Sequence, residues 1–149
     1  MATPGAHRHV RATPEEVFAV LRDGWLYPSW VVGASRMRKV DDAWPAEQAR
    51  LHHSFGVWPF LINDNTTVLE WEPDERAVLE AKGWPLGTAR VELSVEPDGA
   101  AGCRVRIEED ASRGPARLLP KPLRQALMLK RNSETLRRLG FLAEGRSKP

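Results

Sequence analysis

Two stretches late in the chain alternate so strictly that they narrow the choice of fold before anything else is read. Ala89, Val91, Leu93 and Val95 are separated by Arg90, Glu92, Ser94 and Glu96, and Cys103, Val105 and Ile107 by Arg104, Arg106 and Glu108. Successive side chains of a strand point to opposite faces, so each stretch has one wet face and one buried face. The link between them, PDGAAG, reads as a hairpin turn. A sheet with one apolar face needs a cover, and residues 121–142 provide one as a long amphipathic helix. At about 100° per residue, Gln125, Met128, Leu129, Asn132, Leu136 and Leu139 share one side, while Arg124, Lys130, Arg131, Glu134, Arg137 and Arg138 share the other. The first side is expected to face the sheet.

Upstream, turn signals recur at roughly ten-residue spacing and predict a meander of strands over 33–40, 49–57, 61–72 and 76–82. A first strand is expected over 7–12. Thr13-Pro14-Glu15-Glu16 then forms a capping box: a Thr oxygen for a free helix N–H, proline at the first helical position and Glu16 reaching back. The helix it opens runs over 14–22, Asp23-Gly24 ends it, and residues 25–30 make a short aromatic turn or second helix. The expected class is α+β, a curved antiparallel sheet of about seven strands wrapped around a long C-terminal helix, with two short helices after the first strand. With 149 residues and no Pro/Gly/Ser-rich linker, one domain over 1–149 is expected, ordered over about 6–143 with short flexible tails.

No apolar run approaches the roughly 20 residues needed to cross a bilayer. The opening MATPGAHRHV has no apolar stretch after its basic residues, so a cytoplasmic location is expected. One cysteine, Cys103, agrees with a reducing compartment. A net charge of +2, from 22 bases against 20 acids, creates no strong basic field and does not call for nucleic acid. Six tryptophans against one tyrosine and four phenylalanines suit either a core or a ligand cavity.

In a meander successive turns alternate between the two ends of the sheet, so the links sort without coordinates. GVWPF (56–60), GWPLG (83–87) and SRGPARLLP (112–120) fall at one end. They are apolar, carry Trp58, Phe60 and Trp84, and contain Arg113 and Arg117 but no acid. DDAWPAE, EPDER and EPDGAAG fall at the other end and are acidic and polar. An apolar rim at one end of a sheet that grips a helix predicts the mouth of a hollow.

Several side chains are candidates for that hollow. Strand parity aims His53 inward with Leu51 and Phe55, and His52 outward, so the pair cannot chelate one metal. His53 reads either as a satisfied core histidine or as an acid, base or hydrogen-bond donor to a ligand. Glu109 continues the inward parity of Cys103, Val105 and Ile107. It reads as an ion-pair partner of Arg113 or Arg117, as a wet carboxylate beyond the strand, or as a desolvated acid at the mouth. Gln125 and Asn132, on the apolar side of the last helix with Met128 and Leu129, need partners, in sheet backbone, in trapped water or in a ligand's oxygens. Trp71, with Trp58, Phe60 and Trp84, is a candidate lining residue. His7 and His9 have metal-binding spacing without further ligands, so no metal or other cofactor is expected.

The order of these elements resembles the START-like or SRPBCC superfamily, known for the helix-grip fold. The residues that carry the likeness are Ala12-Thr13-Pro14-Glu15-Glu16-Val17-Phe18, Leu26-Tyr27-Pro28-Ser29-Trp30, Val68-Leu69-Glu70 with Glu72-Pro73, and the tail Glu134-Thr135-Leu136-Arg137-Arg138-Leu139. The resemblance spans nearly the whole chain. It implies binding of a small hydrophobic ligand, a lipid, isoprenoid or polyketide-like molecule, between sheet and helix. The rival implication is a polyketide cyclase or dehydratase working in the same space, with His53 or Glu109 moving protons without metal. A membrane-surface or partner-binding module is the weaker alternative. Neither nucleic acid nor integral membrane association is expected as a partner, and a homo-oligomer is not indicated.

Overall fold

In a computed structural model, residues 5–56, 59–83, 87–100 and 102–146 are described. Strand β1 (Gly5–Val10) leads to helix α1 (Pro14–Arg22), a 3-10 turn (Gly24–Leu26) and the short helix α2 (Tyr27–Trp30). Strands β2 (Ala34–Val40), β3 (Arg50–Phe55), β4 (Ile62–Glu72), β5 (Arg76–Gly83), β6 (Gly87–Pro97) and β7 (Cys103–Arg113) follow. A second 3-10 turn (Pro115–Leu118) precedes the terminal helix α3 (Lys121–Arg146). The strands form one antiparallel sheet in the order β1-β7-β6-β5-β4-β3-β2. The meander, the two early helices and the long last helix are therefore as expected, with strand ends shifted by one or two residues.

Local chemistry accounts for the early elements. The Thr13 hydroxyl accepts from the Glu16 backbone N–H while the Glu16 carboxylate accepts from the Thr13 N–H, which satisfies two donors at the start of α1. Val17, Phe18, Val20 and Leu21 on the inner face of α1 are buried. Register shifts at Val68/Glu70 against β5 and at Thr88/Ala89 against β7 insert the bulges that let a sheet curve. The inward-facing residues of β6 and β7, among them Leu93, Val95, Cys103, Val105 and Ile107, form the core with Leu136, Leu139 and Ala143 of α3.

Helix α3 departs from its sequence reading on both flanks. The buried stripe runs through Asn132, Thr135, Leu136, Leu139 and Ala143, as drawn for its second half. Leu129, placed on the inner side, is 40% exposed, whereas Arg124, placed on the outer side, is buried. Arg124 Nε donates to Asp110 Oδ1 at 2.8 Å, and Arg131 pairs with Glu109. The reason is that the cover is lopsided. Leu129 lies about 60° to one side of the stripe and Arg124 and Arg131 about 80–100° to the other, and the acids of β7 stand only on the arginines' flank.

Candidate functional site

The links sort as the meander requires: those after β3, β5 and β7 lie at one end of the sheet and those after β2, β4 and β6 at the other. Near the first end, β5, β6 and β7 face α2 and α3 across a seam. Leu79, Ala81, Val91, Leu93 and Ile107 line its sheet side, and Tyr27, Trp30 and Val31 close it from α2. Four polar side chains complete the lining: Glu109, Arg131, Asn132 and Thr135. The room between these walls is a cavity of about 20 Å³, enough for one water and far below the roughly 300–1,000 Å³ of ligand pockets. Among the described residues this seam is narrower than the hollow expected from sequence, with Tyr27 and Trp30 standing on its α2 side.

The polar wall is held tightly. Arg131 Nη1 donates to both carboxylate oxygens of Glu109, at 3.1 and 3.0 Å, and Arg131 Nε donates to the Val32 carbonyl at 3.2 Å. The Val32 N–H donates in turn to Thr135 Oγ1 at 3.4 Å. Val32, two residues after α2, is therefore clamped to α3 through both its backbone groups. The sequence offers Arg113 or Arg117 to Glu109; among the described residues its partner is Arg131, whose signal was the need of an inward carboxylate for a cation, and the Arg113 side chain lies outside those residues.

Behind Tyr27 lies a second polar group. The Tyr27 hydroxyl and Thr66 Oγ1 are 2.9 Å apart, and His53 Nε2 is 2.8 Å from the same threonine oxygen. The His53 ring stacks on Tyr27 with centroids 5.2 Å apart and meets Phe55 edge-on at 4.6 Å. His53 is wholly buried and its Nδ1 has no hydrogen-bond partner among the described residues. Desolvation pushes its pKa down to about 4, with Asp64 opposing and Arg38 and His52 assisting. Burial likewise pushes the Tyr27 phenol above its ordinary value. At neutral pH both rings are uncharged, so the group can donate or relay a proton but carries no charge of its own.

Of the other candidates, Glu109 and Asn132 line the cavity, and His53 and Phe55 stand one layer behind it. Phe60 is 82% exposed on the rim. Trp71 lies at the far end of β4, edge-on to Phe18 and Trp44 at 5.2 and 6.4 Å, so it packs the core away from the seam. Gln125 and Met128 are half-buried on α3 outside the lining, and Gln125 Nε2 is buried without a hydrogen-bond partner among the described residues. Trp58 and Trp84 lie outside the described residues. His52 turns outward to Asp41 at 2.9 Å, and His9 to Asp98 at 3.0 Å. Burial pushes the Cys103 thiol up to about 11, which leaves it inert in the core. Nothing in the sequence signals that Tyr27 and Trp30, in the Leu26–Trp30 segment, line the seam, because a turn gives no parity from which to aim a side chain.

The sequence profile of a family described as "Polyketide cyclase / dehydrase and lipid transport" matches residues 1–144. A comparison with curated proteins finds no match. Among solved structures, a protein from Nitrosomonas europaea superposes with a TM-score of 0.71 at 14% identity, over 96% of this chain and 94% of its own. A START superfamily protein from Mycobacterium smegmatis gives 0.67 at 18% identity, over 97% and 95%. The di-domain ARO/CYC BexL of the BE-7585A biosynthetic pathway gives 0.69 at 19% identity, over 100% of this chain and 48% of its own. At these identities the likeness is one of fold.

Proposed function

We propose, because the chain belongs to the polyketide cyclase/dehydrase and lipid-transport family, that it binds a small hydrophobic ligand with a polar end in the seam between β5–β7 and α3. One observation carries the reading: an apolar wall of five strand residues faces a polar wall of Glu109, Arg131, Asn132 and Thr135. Such a lining suits a molecule whose body is greasy and whose oxygens need fixed partners. Burial of the body would supply affinity at roughly 25 cal/mol per Å² before ordering costs.

Access for a ligand requires α3 to yield, since the narrow seam holds about one water. The first turns of α3 are suited to that. Leu123, Leu127 and Leu129 there are exposed rather than packed, and the turns are tied to β7 by the Arg124–Asp110 and Arg131–Glu109 pairs. A ligand carboxylate or carbonyl oxygen can take the place of the acid in such a pair and accept from the arginine. Hydrophobic probes, a fluorescent fatty acid and a polycyclic phenol, would be titrated by tryptophan fluorescence. Val91→Phe, which fills the seam, is expected to weaken binding at least tenfold while the variant stays folded. Undiminished binding to that variant would end the proposal.

A second reading rests on the Tyr27–Thr66–His53 chain, which joins a lining residue to a buried neutral imidazole. It favours acid–base chemistry of the cyclase or dehydratase kind. His53→Ala and Glu109→Gln are then expected to abolish turnover of a bound polyketide-like substrate while leaving its affinity within a few-fold, and unchanged turnover would remove this reading.

A further inference from the structure

The end of the molecule that bears the seam exposes more apolar surface than a soluble surface needs. Leu118 is 87% exposed and Phe60 82%, and Leu119, Leu123 and Leu127 are exposed beside Leu118 in the turn before α3 and on its first turns. Leu123 and Leu127 are one helical turn apart and form a ridge. The same segment is rich in bases. Between Asp110 and Glu134 the sequence contains no acid. Arg117, Lys121 and Lys130 are exposed, and none enters an ion pair among the described residues. Lys121 stands at the first position of a 26-residue helix that has no acid in its first turn, where the helix dipole disfavours a cation. Folding gains nothing from that arrangement.

We propose that this end of the molecule docks on the surface of an anionic lipid bilayer. Leucines and a phenylalanine that enter the acyl boundary, flanked by bases that meet lipid phosphates, make up the recognised pattern of interfacial binding. A second copy of the chain fits less well. A two-fold interface would bring the same bases face to face. Nucleic acid would engage the bases but leave the leucines wet. Docking here would set the first turns of α3, the part that must yield for the seam to open, against the lipid.

The test is co-sedimentation with vesicles of phosphatidylcholine alone and of equal parts phosphatidylcholine and phosphatidylglycerol. The protein is expected to sediment with the mixed vesicles and weakly with the neutral ones. Leu118→Glu with Leu127→Glu should lower binding at least tenfold, and Lys121→Glu with Lys130→Glu at least about twenty-five-fold, since each base near an anionic leaflet contributes roughly fivefold. All four positions are exposed, so near-ultraviolet circular dichroism should be unchanged. Trp25→Ser is the control: it is 59% exposed on the turn that packs on Val40 and Leu51, away from the rim, and should bind as the parent does. Failure of the parent to sediment with mixed vesicles, equal loss in Trp25→Ser, or a parent that only self-associates through this patch would each overturn the proposal. Val91→Phe is expected to sediment normally, which keeps this result separate from the fate of the seam.

Discussion

Glu109 leaves 3% of its side chain in solvent and Arg131 leaves 34%, so the two halves of their ion pair are not equivalent. Arg131→Met strands a buried carboxylate and is expected to lower stability by about 3 kcal/mol. Glu109→Gln frees a guanidinium that can turn to water, and should cost about 1 kcal/mol. The double variant should recover most of the larger loss, and urea melts of all four proteins would show it. His53 makes a pH prediction with a definite sign. Its pKa is about 4 when folded against an ordinary 6.5 when unfolded. Between those values the unfolded chain takes up a proton that the native ring refuses. Stability from this residue is therefore complete above pH 6.5 and falls as the pH drops toward 4, by roughly 3 kcal/mol in all. Melts of His53→Gln over that interval should lack this slope. The inward aim of both residues was legible from strand parity, since β3 and β7 are regular where they stand. Their partners were not, because Thr66 and Arg131 are distant in sequence and no periodicity links them.

Helix α3 behaves as two pieces under one hydrogen-bonded ladder. From Asn132 onward its inner stripe is buried, whereas before it Arg124 is the buried residue among those described. The first half is held largely by ion pairs and the second by apolar packing. Amide exchange should report this directly. Amides over 125–130 are expected to open at a cost about 2–3 kcal/mol below those over 135–143, and Arg124→Ala should widen the gap. Uniform protection along the helix would contradict the division. The helical wheel gave the second half its correct face, because leucines at helical spacing leave little choice there. It misjudged Leu129 and Arg124 because a wheel knows only the helix, and here the neighbouring strand covers one flank and not the other.

At the scale of the molecule, the sorting of links into an apolar end and an acidic end could be read without coordinates, since it depends only on the parity of a meander. The size of the space inside could not. It depends on how far Tyr27 and Trp30 reach from a helix of four residues, and side-chain reach leaves no mark in hydrophobic spacing. The sheet order carries a further consequence. β1 pairs with β7, Gly5 opposite Glu108, so the first strand of this sheet to leave the ribosome has no partner until the last strand of the sheet has emerged. Local pairs such as β4 with β5 can form during synthesis, but this one closes a loop of about a hundred residues and is slow for that reason. Chains arrested before Cys103 should accordingly be cut by protease within 5–10, and protection there should arise only after β7 is free. Until then β1 waits, with Val10 uncovered, for the strand at the other end of the meander to be translated.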